Sequence, residues 1–176
     1  MQLNPFDTSR RSAIEDIYLE AFPPEERRPT DDLFGRAQRA DGMLRLLVIS
    51  DERGHTAGML SYWQFDTFLY VEHFAIDSAM RGRNMGAQAM AEFIRTAGCP
   101  VVLEVERPGA NEMADRRIAF YTRLGFAART EIDYIQPPYA PGLPLVPLLL
   151  MAAGPGCGQL DIRSAADTIL HNVYGA

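Results

Sequence analysis

The 176-residue sequence predicts an α/β fold, a mixed central sheet with helices on both faces. Three observations predict it. Strand-like and helix-like periods alternate along the chain in the order β-αα-ββ-β-α-β-α-β-β, the pattern of a sheet covered by helices. The stretch from Tyr70 to Ile94 passes from an apolar run, through a basic loop of small residues, straight into a helical pattern. An apolar content of 47% supplies a core for a chain whose length suits one domain with at most a small appendage.

Residues 2–6 read as a short strand. Thr8 or Ser9 is placed to cap a helix with the apolar stripe Ile14, Ile17, Tyr18 and Ala21. Phe22 to Pro29 is a loop stiffened by its prolines. Thr30, with Asp31 and Asp32, opens a second helix to about Ala40. Leu44 to Ser50 and Thr56 to Phe65 are antiparallel partners across the Arg53-Gly54 turn. Phe68 to Ile76 is the next strand, and Asp77 to Met80 a turn. A helix follows, with Ala87, Met90, Ala91 and Ile94 on one face. Pro100 to Glu106 is a strand, followed by a helix that ends at Leu124 with Gly125 as its stop. Phe126 to Ile135 and Leu143 to Met151 are the last strands. The run Ala152 to Gly158 reads as a linker. Beyond it Ile162, Ala166, Ile169, Leu170 and Val173 form a helical stripe. The chain therefore divides into a domain over residues 1–152 and a linker with a short helix over residues 153–176. The tail is expected to be removable without unfolding the domain. Its helix packs on its own domain or is swapped onto a second copy in a homodimer.

The loop Arg81-Gly82-Arg83-Asn84-Met85-Gly86 sits between a strand and a helix N-terminus, where free N–H groups and the helix dipole favour a phosphate. It lacks the Lys-Ser/Thr ending of a Walker A loop and the spacing of a dinucleotide fingerprint. Taken alone, it also reads as a solvated turn with two surface arginines. Downstream lies Tyr121-Thr122-Arg123-Leu124-Gly125-Phe126. With these two segments, and with Phe74-Ala75-Ile76-Asp77 before the loop, the sequence resembles the GNAT superfamily of N-acetyltransferases over roughly residues 1–152. Members carry an acetyl-CoA loop Arg/Gln-x-x-Gly-x-Gly/Ala and, about forty residues later, Tyr-x-x-x-Gly-Phe. Two positions depart from the pattern. Asn84 replaces a glycine, and Asn is the non-Gly residue that best tolerates a left-handed backbone. Ala114 stands where the family often has a cofactor-contacting Asn. Asn111 lies earlier, and Arg116 and Arg117 are candidates to substitute.

The resemblance implies a mostly antiparallel sheet with two splayed strands. It also implies acetyl-CoA as cosubstrate, held by the backbone of Phe74, Ala75 and Ile76 and by Arg81, Gly82, Arg83, Asn84, Met85 and Gly86. The implied reaction moves an acetyl group to a primary amine, of a small molecule or a peptide, by direct transfer in a ternary complex. Tyr121 is the candidate acid, because a phenol of pKa about 10 suits a comparably basic thiolate. Glu104 and Glu72 are the candidate bases, each weighed against a solvated surface carboxylate. Simple alternation places Tyr70, Glu72, Phe74 and Ile76 on one strand face and His73 on the other. His73 reads as a packed core histidine. Trp63, Tyr134 and Tyr139 are candidate ring faces for an ammonium group.

A net charge of −6 argues against a nucleic-acid partner and mildly favours a cationic acceptor. The two cysteines, Cys99 and Cys157, form no metal spacing or disulfide framework, and no metal is expected. No apolar run reaches the ~20 residues of a membrane span, and the first residues carry no signal pattern, so a cytoplasmic location is expected. Two other classes remain. One is a non-catalytic acyl-CoA-binding or regulatory module on the same fold. The other is a nucleotide-binding protein, which the missing Lys-Ser/Thr pair disfavours.

Overall fold

The computed structural model describes residues 1–176. Eight strands form one sheet: β1 (Gln2–Pro5), β2 (Leu44–Ser50), β3 (Thr56–Gln64), β4 (Leu69–Ile76), β5 (Val101–Glu106), β6 (Ala127–Ala128), β7 (Tyr134–Gln136) and β8 (Val146–Ala153). The helices are α1 (Arg11–Ala21), α2 (Thr30–Ala37), α3 (Met85–Ala97), α4 (Glu112–Arg123) and α5 (Ile162–Ile169), the last continued by a π-helical turn, Leu170–Tyr174. The strands lie in the order β1-β2-β3-β4-β5-β8-β6, with β7 also paired to β8. Every pairing is antiparallel except β4 with β5, which the α3 crossover joins in parallel. No helix is long and apolar enough to cross a membrane.

Each sheet face carries its own core. On one face Ile14, Ile17 and Tyr18 of α1, Leu33 and Phe34 of α2, and Ile162, Ala165, Ala166 and Ile169 of α5 pack together. On the other, Met90 and Phe93 of α3 and Tyr121 of α4 pack against Val71, Leu103 and Val105. The stripes read in the sequence for α1 and for the tail are largely the buried faces of those helices, but the face expected for α3 is displaced: Ala91 is exposed, and the buried residues are Met85, Ala89, Met90 and Phe93.

The sequence reading departs from the fold at several places. Asp7, not Thr8 or Ser9, caps the first helical turn, its side chain accepting from the Ser9 N–H. The strand expected over residues 126–135 is two pieces, β6 and β7, separated by a turn and both laid along one edge of β8. Between them the Arg129 guanidinium leaves the sheet to bond the carbonyls of Cys157 and Leu160. The Gly/Pro run after β8 changes chain direction but does not leave the core. Ile162, Ala165, Ala166, Ile169 and Val173 of the tail are buried in the same cluster as α1 and α2. The tail, expected to be removable, packs in this chain as a layer against α1 and α2, so its removal would expose that cluster.

Two irregularities in β4 position the site. Its pairing with β5 lasts only from Leu69↔Val101 to Val71↔Leu103. Beyond that, β4 follows β3 to Ile76 and β5 follows β8 to Glu106, so the two strands splay and their facing edges lack partners. A bulge at Glu72 also breaks the alternation, because Tyr62 pairs with Val71 while Ser61 pairs with His73. Glu72 and His73 consequently both lie on the α1 side, 3.8 Å apart between Oε2 and Nδ1. Phe74 and Ile76 lie on the α3 side, against Gly86 and Phe120. This corrects the single face expected for Tyr70, Glu72, Phe74 and Ile76, and the opposed placement expected of His73.

Candidate active site

The loop after β4 has the local form its sequence implies. Gly82 has φ +77° and Asn84 has φ 59°, the only left-handed non-glycine residue in the chain. The N–H groups of Gly82, Arg83 and Asn84 donate to no backbone carbonyl, and α3 begins immediately after them. With the first N–H groups of α3 they form an anion-binding concavity at a helix N-terminus. Arg81 Nε donates to Ile76 O at 3.2 Å, fixing the arginine across the mouth. A pocket of about 500 Å³ lies here, lined by Phe74, Ile76, Arg81, Asn84, Gly86 and Phe120. A Cβ at Gly86 would point into this wall, 3.4 Å from Ile76 and 3.7 Å from Phe74. These residues fit a CoA-type ligand: unpaired backbone donors for phosphates, and the free edge of β4 for an amide-bearing arm.

Arg81 also borders a second cleft of about 480 Å³, which opens between the splayed ends of β4 and β5. Glu72, Glu104, Glu106, Arg117, Tyr121 and Tyr139 are among its walls. The three candidate catalytic residues, Tyr121, Glu104 and Glu72, therefore line one cavity, adjoining the loop pocket along Phe74 and Ile76.

Tyr121 projects from α4 with only 7% of its surface exposed. Its hydroxyl makes no hydrogen bond within the protein and is not sealed in, so its polar end faces the cleft. Burial pushes the phenol up to about 12, eased by nearby Arg117 and reinforced by Glu106. Arg117 is ion-paired to Glu106 and Arg116 to Glu112. Asn111 caps α4, its Oδ1 accepting from Ala114 N at 2.8 Å, and Ala114 is buried. Of the residues considered as replacements for the family's Asn, only Arg117 reaches the cleft.

The two glutamates have opposite environments. Glu72 has a fully buried side chain that accepts from Arg28 at 2.5 Å, from Trp63 Nε1 at 2.9 Å and from Tyr139 at 3.0 Å. Burial works to raise its pKa, but the charge of the Arg28 guanidinium and the hydrogen bonds from Arg28 and Trp63 hold it below the usual range. Glu104 has no cationic partner. Tyr134 donates to its Oε1, and Tyr174 to its Oε2 at 3.0 Å. Burial dominates and lifts it to about 7, the tyrosine hydrogen bonds opposing and the Glu72 charge adding to the rise.

Arg28, read in the sequence as a residue of a Pro-rich loop, ties this side together. It lies 5.5 Å from the Trp63 ring centre and 5.2 Å from that of Tyr139, and it bonds Asp32 at 2.8 Å. The ring faces expected to receive a ligand ammonium are occupied by the protein's own guanidinium. Tyr134 instead turns its hydroxyl to Glu104. His73 donates from Nε2 to Glu26 O at 3.0 Å and accepts from Ser61 at 3.1 Å, and burial keeps it neutral. The sequence reading missed Arg28 and Tyr174. A basic residue between prolines and a tyrosine near the end of a short tail carry no local signal of what they meet.

Residues 11–126 match the model of the "Acetyltransferase (GNAT) family". A solved structure described as "Putative acetyltransferase from GNAT family from Bacteroides thetaiotaomicron" is 37% identical, with TM-score 0.90 over 100% of this chain and 99% of that one. Spermidine N-acetyltransferase from Vibrio cholerae, in complex with CoA and spermine, shares the fold at TM-score 0.66 and 10% identity, over 90% of this chain and 98% of that one. "Putative acetyltransferase YjbC" of Bacillus subtilis (strain 168) is 27% identical over 77 residues, 43% of this chain. The match spans 40% of that relative's length.

Proposed function

The chain belongs to the GNAT family of acetyltransferases and is an acyltransferase; from that premise we propose that it moves an acetyl group from acetyl-CoA to a primary amine by direct transfer. The observation that carries the reading is the pair of adjoining pockets: an anion-binding loop in one, and in the other a free Tyr121 hydroxyl with a carboxylate poised near neutrality.

When bound, acetyl-CoA supplies an activated acetyl carbon and a thiolate leaving group. Backbone donors of Gly82 to Gly86 and the Arg81 and Arg83 guanidiniums would hold its phosphates. The free edge of Phe74 to Ile76 would pair with its amide arm. Glu104 is the base: a carboxylate that titrates at about 7 accepts a proton from an ammonium acceptor and releases it again without a deep trap. Tyr121 is the acid and gives its hydroxyl proton to the departing sulfur. Glu72, neutralised by Arg28, holds the acceptor wall in place and takes no proton. Direct transfer is favoured because no cysteine or serine lines the cleft, which leaves no ordinary nucleophile for an acyl-enzyme.

The test is a thermal-shift panel of acetyl-CoA, CoA and ATP, followed by an acetyl-CoA turnover screen over amines. Stabilisation by both CoA species but not ATP, with CoA released in proportion to acetylated amine, is the expected result. CoA binding without turnover on any amine would favour the non-catalytic acyl-CoA module.

A further inference from the structure

The C-terminal turn reaches the centre of the cleft chemistry. After α5 the helix widens into the π-helical turn Leu170–Tyr174 and is closed by Gly175 in the left-handed conformation, at φ 72°. Wide turns of this kind are rare and cluster at functional sites. The turn delivers two groups inward. The Val173 carbonyl accepts from Arg28 Nη2 at 3.4 Å. The Tyr174 hydroxyl lies 3.0 Å from Glu104 Oε2, 3.2 Å from the Tyr70 hydroxyl and 3.4 Å from the Tyr139 hydroxyl.

Each phenol has one proton to donate, which orders the cluster. Tyr134 and Tyr174 donate to Glu104. Tyr139 donates to Glu72, and the Tyr70 hydroxyl is shared between the Tyr174 oxygen, at 3.2 Å, and Glu104 itself. Tyr174 is then the hydroxyl that both receives from a buried phenol and donates to the carboxylate. We propose that Tyr174 is a positioning residue of the active site: its hydroxyl orients Glu104 and favours its charged form, so the last turn of the chain sets the pH at which the base works. The proposal rests on Glu104 being the base of acetyl transfer.

The groups facing Glu104 are Tyr70 and Glu72 from β4, Tyr134 from β7, Tyr139 from the loop that follows, and Tyr174 from the tail. Arg28 stands behind Glu72. Removing one neutral donor from a carboxylate leaves desolvation and the Glu72 charge less opposed, so the proton is held to higher pH. Tyr174→Phe keeps the ring that packs at 5.1 Å from Tyr139 and deletes only the hydroxyl.

The experiment is a carbon-13 carboxyl titration of the full chain labelled at glutamate, with Glu104→Gln used to assign the Glu104 signal. It needs no acceptor, so it reads the proposal even if acetyl transfer is not the reaction. Tyr174→Phe is expected to move the Glu104 midpoint up by about one pH unit. Once an acceptor is known, the acidic limb of kcat/KM should move by the same amount, with the plateau at high pH nearly kept. An unmoved midpoint overturns the proposal, as does a plateau lowered equally at every pH, which is the signature of a merely structural tyrosine. Should Tyr174→Phe fail to fold, Tyr174→Met in the same titration carries the same two outcomes. A wild-type enzyme without any transfer, or without an acidic limb, refutes the base assignment rather than the tail contact.

Discussion

Replacing Glu104 by Gln should stabilise the folded protein above neutral pH, although it removes the proposed base. The folded state holds the Glu104 proton up to about pH 7, whereas the ordinary glutamate value is 4.5. Between those two values the folded state binds more protons than the unfolded chain, so raising the pH across that window works against folding. The span is roughly 2.5 units, and at about 1.4 kcal/mol per unit it amounts to about 3 kcal/mol of destabilisation once the pH exceeds both values. Gln mimics the protonated carboxyl: its single oxygen accepts from one of the two tyrosines and its NH2 stands, as a donor, where the carboxyl O–H would, so the variant lacks the charge penalty. Thermal or urea unfolding of wild type and Glu104→Gln would show little difference near about pH 5. At about pH 8 the variant would be ahead by about 3 kcal/mol, or roughly 6–12 °C for a chain of this size. Taking the difference between the two proteins cancels every other titrating group. A difference that stays constant from acid to alkaline pH, or that favours wild type at high pH, would refute the buried-carboxylate reasoning.

Gly86→Val should fold, since its Cβ meets nothing closer than 3.4 Å and the neighbours are side-chain atoms, and its added methyls should crowd the loop pocket and weaken acetyl-CoA at least tenfold in calorimetry. Unchanged affinity would remove the loop assignment. Tyr121→Phe should cut turnover on the order of 10²-fold with little change in cofactor affinity, because the hydroxyl matters most as charge develops on sulfur. Unchanged turnover with chemistry limiting would return Tyr121 to a packing role. Truncation after Ala153 should give unfolded or molten protein, measured by circular dichroism. It strips Ile162, Ile169 and Val173 from the core at about 1.5–3 kcal/mol each, a large part of a typical domain's total. Arg28→Met should cost about 3–5 kcal/mol by stranding buried Glu72. Because Glu72 has a depressed folded pKa, its stabilisation exists above about 4.5 and disappears as the pH falls through the folded value. That acid-side loss should vanish in the variant.

Much of the fold was legible because it rests on local periodicity. The stripe of α1, the turn at Arg53-Gly54 and the helix stop at Gly125 all follow from spacing within one element, whereas the face of α3 was only partly read, Met90 being the one expected residue that is buried. The loop could be read for the same reason, since the left-handed turn at Asn84 is a property of one residue type. What escaped is non-local. Arg28 meets Glu72 across 44 positions, and Tyr174 meets Glu104 across 70. The strand over residues 126–135 is interrupted at a turn beside which Arg129 bonds carbonyls far along in the tail, a contact no local pattern announces. The facing of Phe74 and Ile76 was misjudged because alternation counted from Tyr70 cannot register an unpaired residue at 72.

That unpaired residue makes β4 two strands in functional terms. Because side chains alternate with a period of two, one extra residue inverts the polarity of everything after it. Tyr70, Glu72 and His73 address the carboxylates and aromatic rings on the α1 side; Phe74 and Ile76 address the phosphate loop on the α3 side. Substitutions on the two segments are thereby decoupled, so acceptor preference can drift while cofactor contacts stay fixed. Deleting Glu72 would do more than lose a carboxylate. It would re-phase the strand, and the half that pairs with β5 would no longer agree with the half that serves the cofactor about which faces are inside.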